Sequence, residues 1–559
     1  MGKMAKRDKK RLLAALMVVA AVLRLVWLSF GDTTTDEVLY AFRAAELVDY
    51  DESADQPTPL EWFDGNIPWW TSLSFHDHPP LVFWIQHVSM RIFGETNFGF
   101  RVPSALFGIA AVYLVYCIGR RLYNEWVGFF SALALAVSTN HVYISRSGMQ
   151  ESQTIFFILL SLFLFLRSRD DERYLIPTGA ALGLSFLTKY TTFFLVPAFL
   201  LYLIFFKRSY FRSWKLYAGV GLSIIIFSPV ILYNYLLYRA VGHFDFQFSF
   251  IFRQFPEVWR IAPGKEIGSL SDRIQSLVPN LFKINSWLFL GLFGAALLWM
   301  FARLKKLKEH VVPFGMLVFV LLLIFQIGTS FRFLSMFTPF FALVIGFAIA
   351  KLFETSKKWA LVLVAVFVPL EIAYATHSQI WYISEGIPPW THSRYLRYEK
   401  HDGGYNELGD YLASELSGKR PAQVFEMQYQ FLNDLHKKAF DEAQGKNLEP
   451  YSAVIIYDDN VDHIAQLWVL DRLNIYHAWP TLKTEQYIKF LQANNLEDIT
   501  DAGFDHYYVI IPTDEVFLRK LESRTQYGAL FEQELQREGV VPISIKNSRG
   551  KEAFRVYKF

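Results

Sequence analysis

Cysteine is almost missing. The one thiol, Cys117, lies inside an apolar run, which excludes an intrachain disulfide or a thiolate zinc site and leaves it as a small packing residue. Charge is scarce as well: Asp, Glu, Lys and Arg make up 19% of the 559 residues and nearly cancel, to a formal +3. Nothing in that balance points to nucleic acid as a partner. There is no HExxH, the commonest zinc-hydrolase signature. What abounds instead is apolar and aromatic side chain, 53% hydrophobic residues with 53 Phe, 29 Tyr and 15 Trp, too much for an ordinary soluble enzyme. The composition is that of a polytopic membrane protein.

Apolar runs fall at about residues 12–30, 102–119, 126–140, 153–167, 174–188, 191–206, 216–238, 286–302, 311–328, 333–350 and 359–376, which predicts about eleven helices of near-spanning length. Lys and Arg crowd into alternate gaps: KMAKRDKKR at the start, GRR at 119–121, RSRDDER at 167–173, KRSYFRSWK at 207–215, RLKKLK at 303–308 and KLFETSKK at 351–358. Positive charge favours the cytoplasmic side, so the other gaps are expected to face outward. The first of them, residues 31–79, is rich in Asp and Glu and has a single Lys or Arg, Arg43. The N-terminal run has no small-residue cleavage site behind it and is read as a retained anchor.

The tail has a different character. From Thr391 onward polarity rises, and β-rich runs AVIIYD (453–458), HYYVIIP (506–512) and FRVYKF (554–559) alternate with helical stretches at 406–416 and 484–494. A mainly α bundle over residues 1–376 followed by a soluble extracytoplasmic α/β domain over 391–559 is the expected organisation. The tail has no phosphate-binding glycine loop, nucleophile elbow or internal repeat.

Chemistry-bearing residues gather in the outward gaps. Asp36 and Glu37 stand side by side in DTTTDEVLYAFRAAEL, where helix-start acids capped by Thr33 to Thr35 are the plainer explanation. In SFHDHPPLVFW, His76 and His78 flank Asp77 before a Pro pair that should begin a helix, and the two histidines are candidate ligands for a divalent metal. Arg101, Arg146, Lys189 and Arg332 lie at outward helix ends, with Glu151 near Arg146. Each cation alone is explained by snorkelling to membrane lipid headgroups, but together they suggest a pocket for a lipid-linked phosphate. A carboxylate beside such a pocket suits sugar transfer from a polyprenyl phosphate: Asp36 takes the proton of an attacking hydroxyl while phosphate leaves as a stabilised anion.

Six stretches in order, TTDEVLYA, HDHPPLVFWIQ, FGFRVPSALFGIAAVYLVYCIGRRLY, SRSGMQESQTIFF, LTKYTTFFLVP and FRFLSMFTPF, resemble the membrane-embedded GT-C glycosyltransferases of the dolichyl-phosphate-mannose protein mannosyltransferase and aminoarabinose transferase superfamily. The resemblance covers about residues 10 to 350. It implies that the first outer loop is catalytic, with Asp36 the acid and Glu37 its neighbour, that Arg101 matches the family's Arg at the second span, and that Arg146 and Glu151 match its Arg and following acid. The HPP at His78 to Pro80 sides with the mannosyltransferases. An inverting transfer from a polyprenyl-phosphate sugar to a glycan, lipid or protein hydroxyl outside the cytoplasm is the implied reaction. A polytopic lipid or solute transporter or flippase and a membrane metallohydrolase are the rival readings; internal repeats and mid-membrane charges would favour the first, and the second needs a third metal ligand.

Overall fold

The computed structural model describes residues 6–34, 36–51, 56–262, 264, 267–302, 310–380, 391–393, 395–396, 403–461, 463–496, 499–516 and 525–559. Thr35 and the basic run at 303–308 lie outside them. The chain forms two compact units, one of residues 1–29, 51–57 and 69–397, the other of residues 30–50, 58–68 and 398–559. The loop 31–79 is thus divided between them.

The first unit is helical, and each apolar run read from the sequence coincides with a helix, from Lys6–Leu25 to Lys357–Gln379. Among the described residues four helices are long and apolar enough to cross a membrane: Asn97–Leu122, Trp214–Val241, Phe331–Thr355 and Lys357–Gln379. The pair Glu125–Val137 and Thr139–Arg146, bent by 62° at its break, makes a fifth candidate, and several apolar helices are shorter. The protein is a multi-pass membrane protein.

Small residues set the packing. A Cβ on Gly179 would stand 1.9 Å from the Gly219 carbonyl oxygen, so helices Leu175–Thr188 and Trp214–Val241 meet backbone to backbone. The break at Ser138 would strand carbonyls in an apolar interior. Arg24, fully buried, supplies the donors: its guanidinium reaches the carbonyls of Leu135 at 3.3 Å and Ala136 at 3.0 Å, and His141 Nδ1 at 2.7 Å.

The long gap from Arg239 to Asn285 contains helix Leu270–Ile284, begun by a capping box between Ser269 and Asp272. Its Leu270, Ile274, Val278 and Phe282, four residues apart, are all exposed, whereas Arg273, Ser276 and Asn280 bond to Phe325, Gln326 and Thr329. One apolar face outward and one polar face inward is the signature of an interfacial helix.

The second unit is built on two sheets. Strands β1 (Lys419–Pro421) and β2 (Glu449–Tyr451) pair in parallel. Strands β3 (Ala453–Tyr457), β4 (Thr481–Lys483), β5 (His506–Pro512), β6 (Ile543–Lys546) and β7 (Glu552–Lys558) form a mixed sheet in the order β4-β3-β5-β7-β6. The interior strands β3 and β5 are apolar along their length and almost wholly buried, as strands covered on both faces must be. The three β-rich runs of the tail are β3, β5 and β7.

Helix Asp36–Glu46 packs into this unit. The Phe42 ring stacks on Tyr476 with centroids 4.4 Å apart, and the Tyr476 hydroxyl donates to the Phe42 carbonyl at 3.1 Å. Asp32 accepts from the backbone N–H of Gly403 at 2.6 Å and of Asn406 at 2.9 Å, at the start of helix Tyr405–Leu416. Asp64 does the same for Gln430 and Phe431 at the start of helix Gln430–Gly445, and Lys438 pairs with Glu46 at 2.7 Å. Acids of the early loop therefore complete helix starts contributed by the far end of the chain.

Candidate active site

In the second unit, the acid pair opens helix Asp36–Glu46. Glu37 is buried and its Oε1 accepts from the Thr34 backbone N–H at 3.2 Å, so this carboxylate reaches back over the helix start. Asp36 is partly exposed. The neighbours thus differ in burial, and Glu37 is the one turned to its own backbone.

In the first unit the four predicted cations do not stand alike. Arg146 Nη1 donates to the Val26 carbonyl at 2.8 Å and its Nη2 to that of Trp27 at 2.9 Å, closing the C-terminal end of helix Lys6–Leu25. Arg101 Nη1 lies 3.3 Å from the Leu28 carbonyl. Lys189 Nζ meets Glu151 Oε1 at 2.5 Å, with both side chains buried. The Phe333 ring stands between two cations, 5.0 Å from Lys189 Nζ and 5.3 Å from the guanidinium carbon of Arg332. Lys189, Glu151 and Arg332 are consequently one cluster, whereas Arg101 and Arg146 hold the backbone just after the first helix. Neither the Lys189–Glu151 pairing nor the Arg146 cap shows in residue spacing, because the partners are 38 and about 120 residues apart.

The HDH turn forms an acid–imidazole group. His78 Nδ1 is 2.9 Å from Asp77 Oδ2, His76 Nδ1 is 3.9 Å from Asp77 Oδ1, and His76 Nε2 is 3.8 Å from Asp51 Oδ2. Carboxylate oxygens and imidazole nitrogens together suit a divalent cation. The expected helix start is present too, with Pro80 preceding Leu81–Phe93.

Asp245 was not singled out by its sequence context, although a lone Asp before an apolar run is an N-cap signal. It is fully buried, caps helix Phe246–Ile251 through Phe248 N at 2.6 Å, and accepts from the Tyr190 hydroxyl at 2.7 Å and Asn234 Nδ2 at 2.9 Å. The next residue, Phe246, donates its N–H to the His76 carbonyl at 2.8 Å, and Trp259 stacks near the His76 ring, with centroids 6.2 Å apart. Burial raises the Asp245 carboxyl from 3.8 to about 6, with Asp77 adding a smaller push in the same direction.

Residues 77–233, which include the HDH turn from Asp77 on, Arg101, Arg146, Glu151 and Lys189, match the family described as dolichyl-phosphate-mannose-protein mannosyltransferase. The YycA protein of Bacillus subtilis is 30% identical over 158 residues, 26% of this chain and 23% of that one. Undecaprenyl phosphate-alpha-4-amino-4-deoxy-L-arabinose arabinosyl transferase 1 of Pseudomonas fluorescens is 29% identical over 168 residues, covering 28% and 30%. The crystal structure of ArnT from Cupriavidus metallidurans bound to undecaprenyl phosphate aligns with 99% of this chain and 98% of its own, at a TM-score of 0.55 and 13% identity. The family likeness covers residues 77–233, and the likeness in fold covers nearly the whole chain. The likeness to ArnT is one of fold, and the chain spans less than two thirds of the length of the curated relatives it matches. The matched segment holds the Lys189–Glu151 pair, and the acid pair Asp36 and Glu37 lies ahead of it.

Proposed function

We propose that this protein is an inverting glycosyltransferase of the GT-C type that moves a sugar from a polyprenyl-phosphate donor to a hydroxyl of a glycan, lipid or protein on the outer face of the membrane. The match of residues 77–233 to a polyprenyl-type mannosyltransferase family carries the reading, and the name of the arabinosyl transferase and the lipid in the ArnT crystal structure agree with it.

In this reading Asp36 is the general base. The acceptor oxygen attacks the anomeric carbon as the bond from that carbon to the phosphate oxygen breaks, Asp36 takes the hydroxyl proton, and polyprenyl phosphate leaves with the electron pair. Lys189 and Arg332 receive the phosphate, while Glu151 sets the position of the Lys189 ammonium and is the alternative base. Arg101 and Arg146 serve by holding the backbone after the first helix. Glu37 orients the Asp36 helix start. A divalent cation, held by His76 and Asp77 with His78 fixing Asp77, would add positive charge for the same leaving group.

About eleven membrane crossings, the loop 31–79 and the α/β unit on the outer side complete the proposal, supported by the alternation of Lys and Arg between gaps. The test is transfer by the purified protein from the lipid-linked sugar that accumulates in cells lacking it. Asp36→Asn should lower turnover by roughly 10²-fold or more with donor binding retained, Glu37→Gln should cost less, and chelator should slow the parent if the cation acts. No lipid-linked sugar accumulating, or Asp36→Asn turning over at the parental rate, would refute the assignment.

A further inference from the structure

The turn entering helix Glu151–Arg167 is tied down at almost every group. Gln86 Nε2 donates to the Gly148 carbonyl at 2.6 Å, Ser104 Oγ to that of Met149 at 3.2 Å, Ser152 Oγ to that of Ser104 at 2.6 Å, and Thr154 Oγ1 to that of Gln150 at 2.9 Å. Lys189 holds Oε1 of Glu151. Two side chains break the pattern. Gln150 and Gln153 are both 0% exposed, and neither the oxygen nor the nitrogen of either amide has a hydrogen-bond partner among the described residues. Oε2 of Glu151 lacks one as well.

A buried amide without partners is costly, and methionine would fill a similar volume at no such cost. Positions 150 and 153 are three apart, so they share one face of the helix's first turn. Four unmet polar atoms on one face, beside a carboxylate whose other oxygen is already paired with a lysine, are donors and acceptors that hydroxyl groups would satisfy. An amide both donates and accepts, as a sugar hydroxyl does, and being neutral it does not compete with Lys189 for an anion.

We propose that Gln150 and Gln153, with Oε2 of Glu151, form the subsite that binds the hydroxyls of the donor's sugar. This rests on the transferase reading given above. The sugar is read by the glutamines and the phosphate by the cations, so the two recognition tasks separate by chemistry.

The experiment uses the full chain in lipid nanodiscs and measures binding of undecaprenyl phosphate, bare and carrying mannose, glucose or 4-amino-4-deoxyarabinose, alongside melting temperature. The parent should favour one glycosylated lipid over the bare one. Gln150→Met and Gln153→Met should each weaken that lipid about tenfold or more, leave the bare lipid unchanged and melt no lower than the parent, since no protein partner is lost. Variants that keep the parental preference would mean that the glutamines hold only water, and variants that lose bare and glycosylated lipid together while melting lower would mean a structural role; either overturns the subsite. A parent that binds bare and glycosylated lipids equally also overturns the subsite but leaves lipid-phosphate recognition standing. A parent that binds no lipid phosphate overturns the transferase reading itself.

Discussion

Lys189 and Glu151 illustrate how one contact changes what a charge is for. Both are buried, so each neutralises the other, and removing one leaves an uncompensated charge in a low dielectric. Lys189→Met alone should therefore destabilise the protein by about 3–5 kcal/mol. Adding Glu151→Gln should recover most of that loss. Donor binding should stay weak in the double variant, because the ammonium proposed to meet phosphate is gone. A denaturation series paired with a lipid-phosphate binding assay separates the two effects; full recovery of donor binding in the double variant would leave Lys189 a purely structural partner.

Among elements, the segment after helix Trp214–Val241 has the clearest physical handle. It is fastened to the HDH turn through Phe246 N and Trp259, and Asp245 fixes it against Tyr190 and Asn234. Because burial raises the Asp245 carboxyl to about 6, the segment is favoured in full below about pH 4, and that advantage is lost as pH rises through 6. The change is on the order of 1–3 kcal/mol. Hydrogen exchange over residues 243–259 should be slower at pH 4.5 than at pH 7.5 after correction for intrinsic rates, and Asp245→Asn should remove the difference. Equal protection of the parent at both values would assign the fastening to the aromatic contacts alone. Much at this scale was legible in the chain: apolar runs became helices, Pro80 began one, and AVIIY, HYYVIIP and FRVYK became strands, because those features depend on local pattern. The Asp245 network and the Lys189–Glu151 pair were not, since a residue's partner across tens of positions is chosen by packing, which periodicity does not encode.

For the whole molecule, the Lys and Arg alternation predicts that Asn66, Glu442 and the rest of their unit lie outside the cytoplasm. With Cys117 replaced by Ser, single cysteines at those two exposed positions should react with a membrane-impermeant maleimide in intact cells; labelling only after lysis would invert the topology. The sharing of the first loop between units was hidden from the sequence for the same reason as the buried pairs. Asp32 and Asp64 read as ordinary loop acids until their helix starts, more than 360 residues later, are in view.

That sharing also fixes a biosynthetic order. Asp32 is made 371 residues before Gly403, the group it binds, so at ordinary translation rates it waits on the order of 20–70 s for its partner. The helix bearing Asp36 thus acquires its packing only once the last part of the chain has been synthesised. A nascent chain that has reached Gln379 therefore has its apolar helices made while Asp32 still lacks the backbone groups it binds.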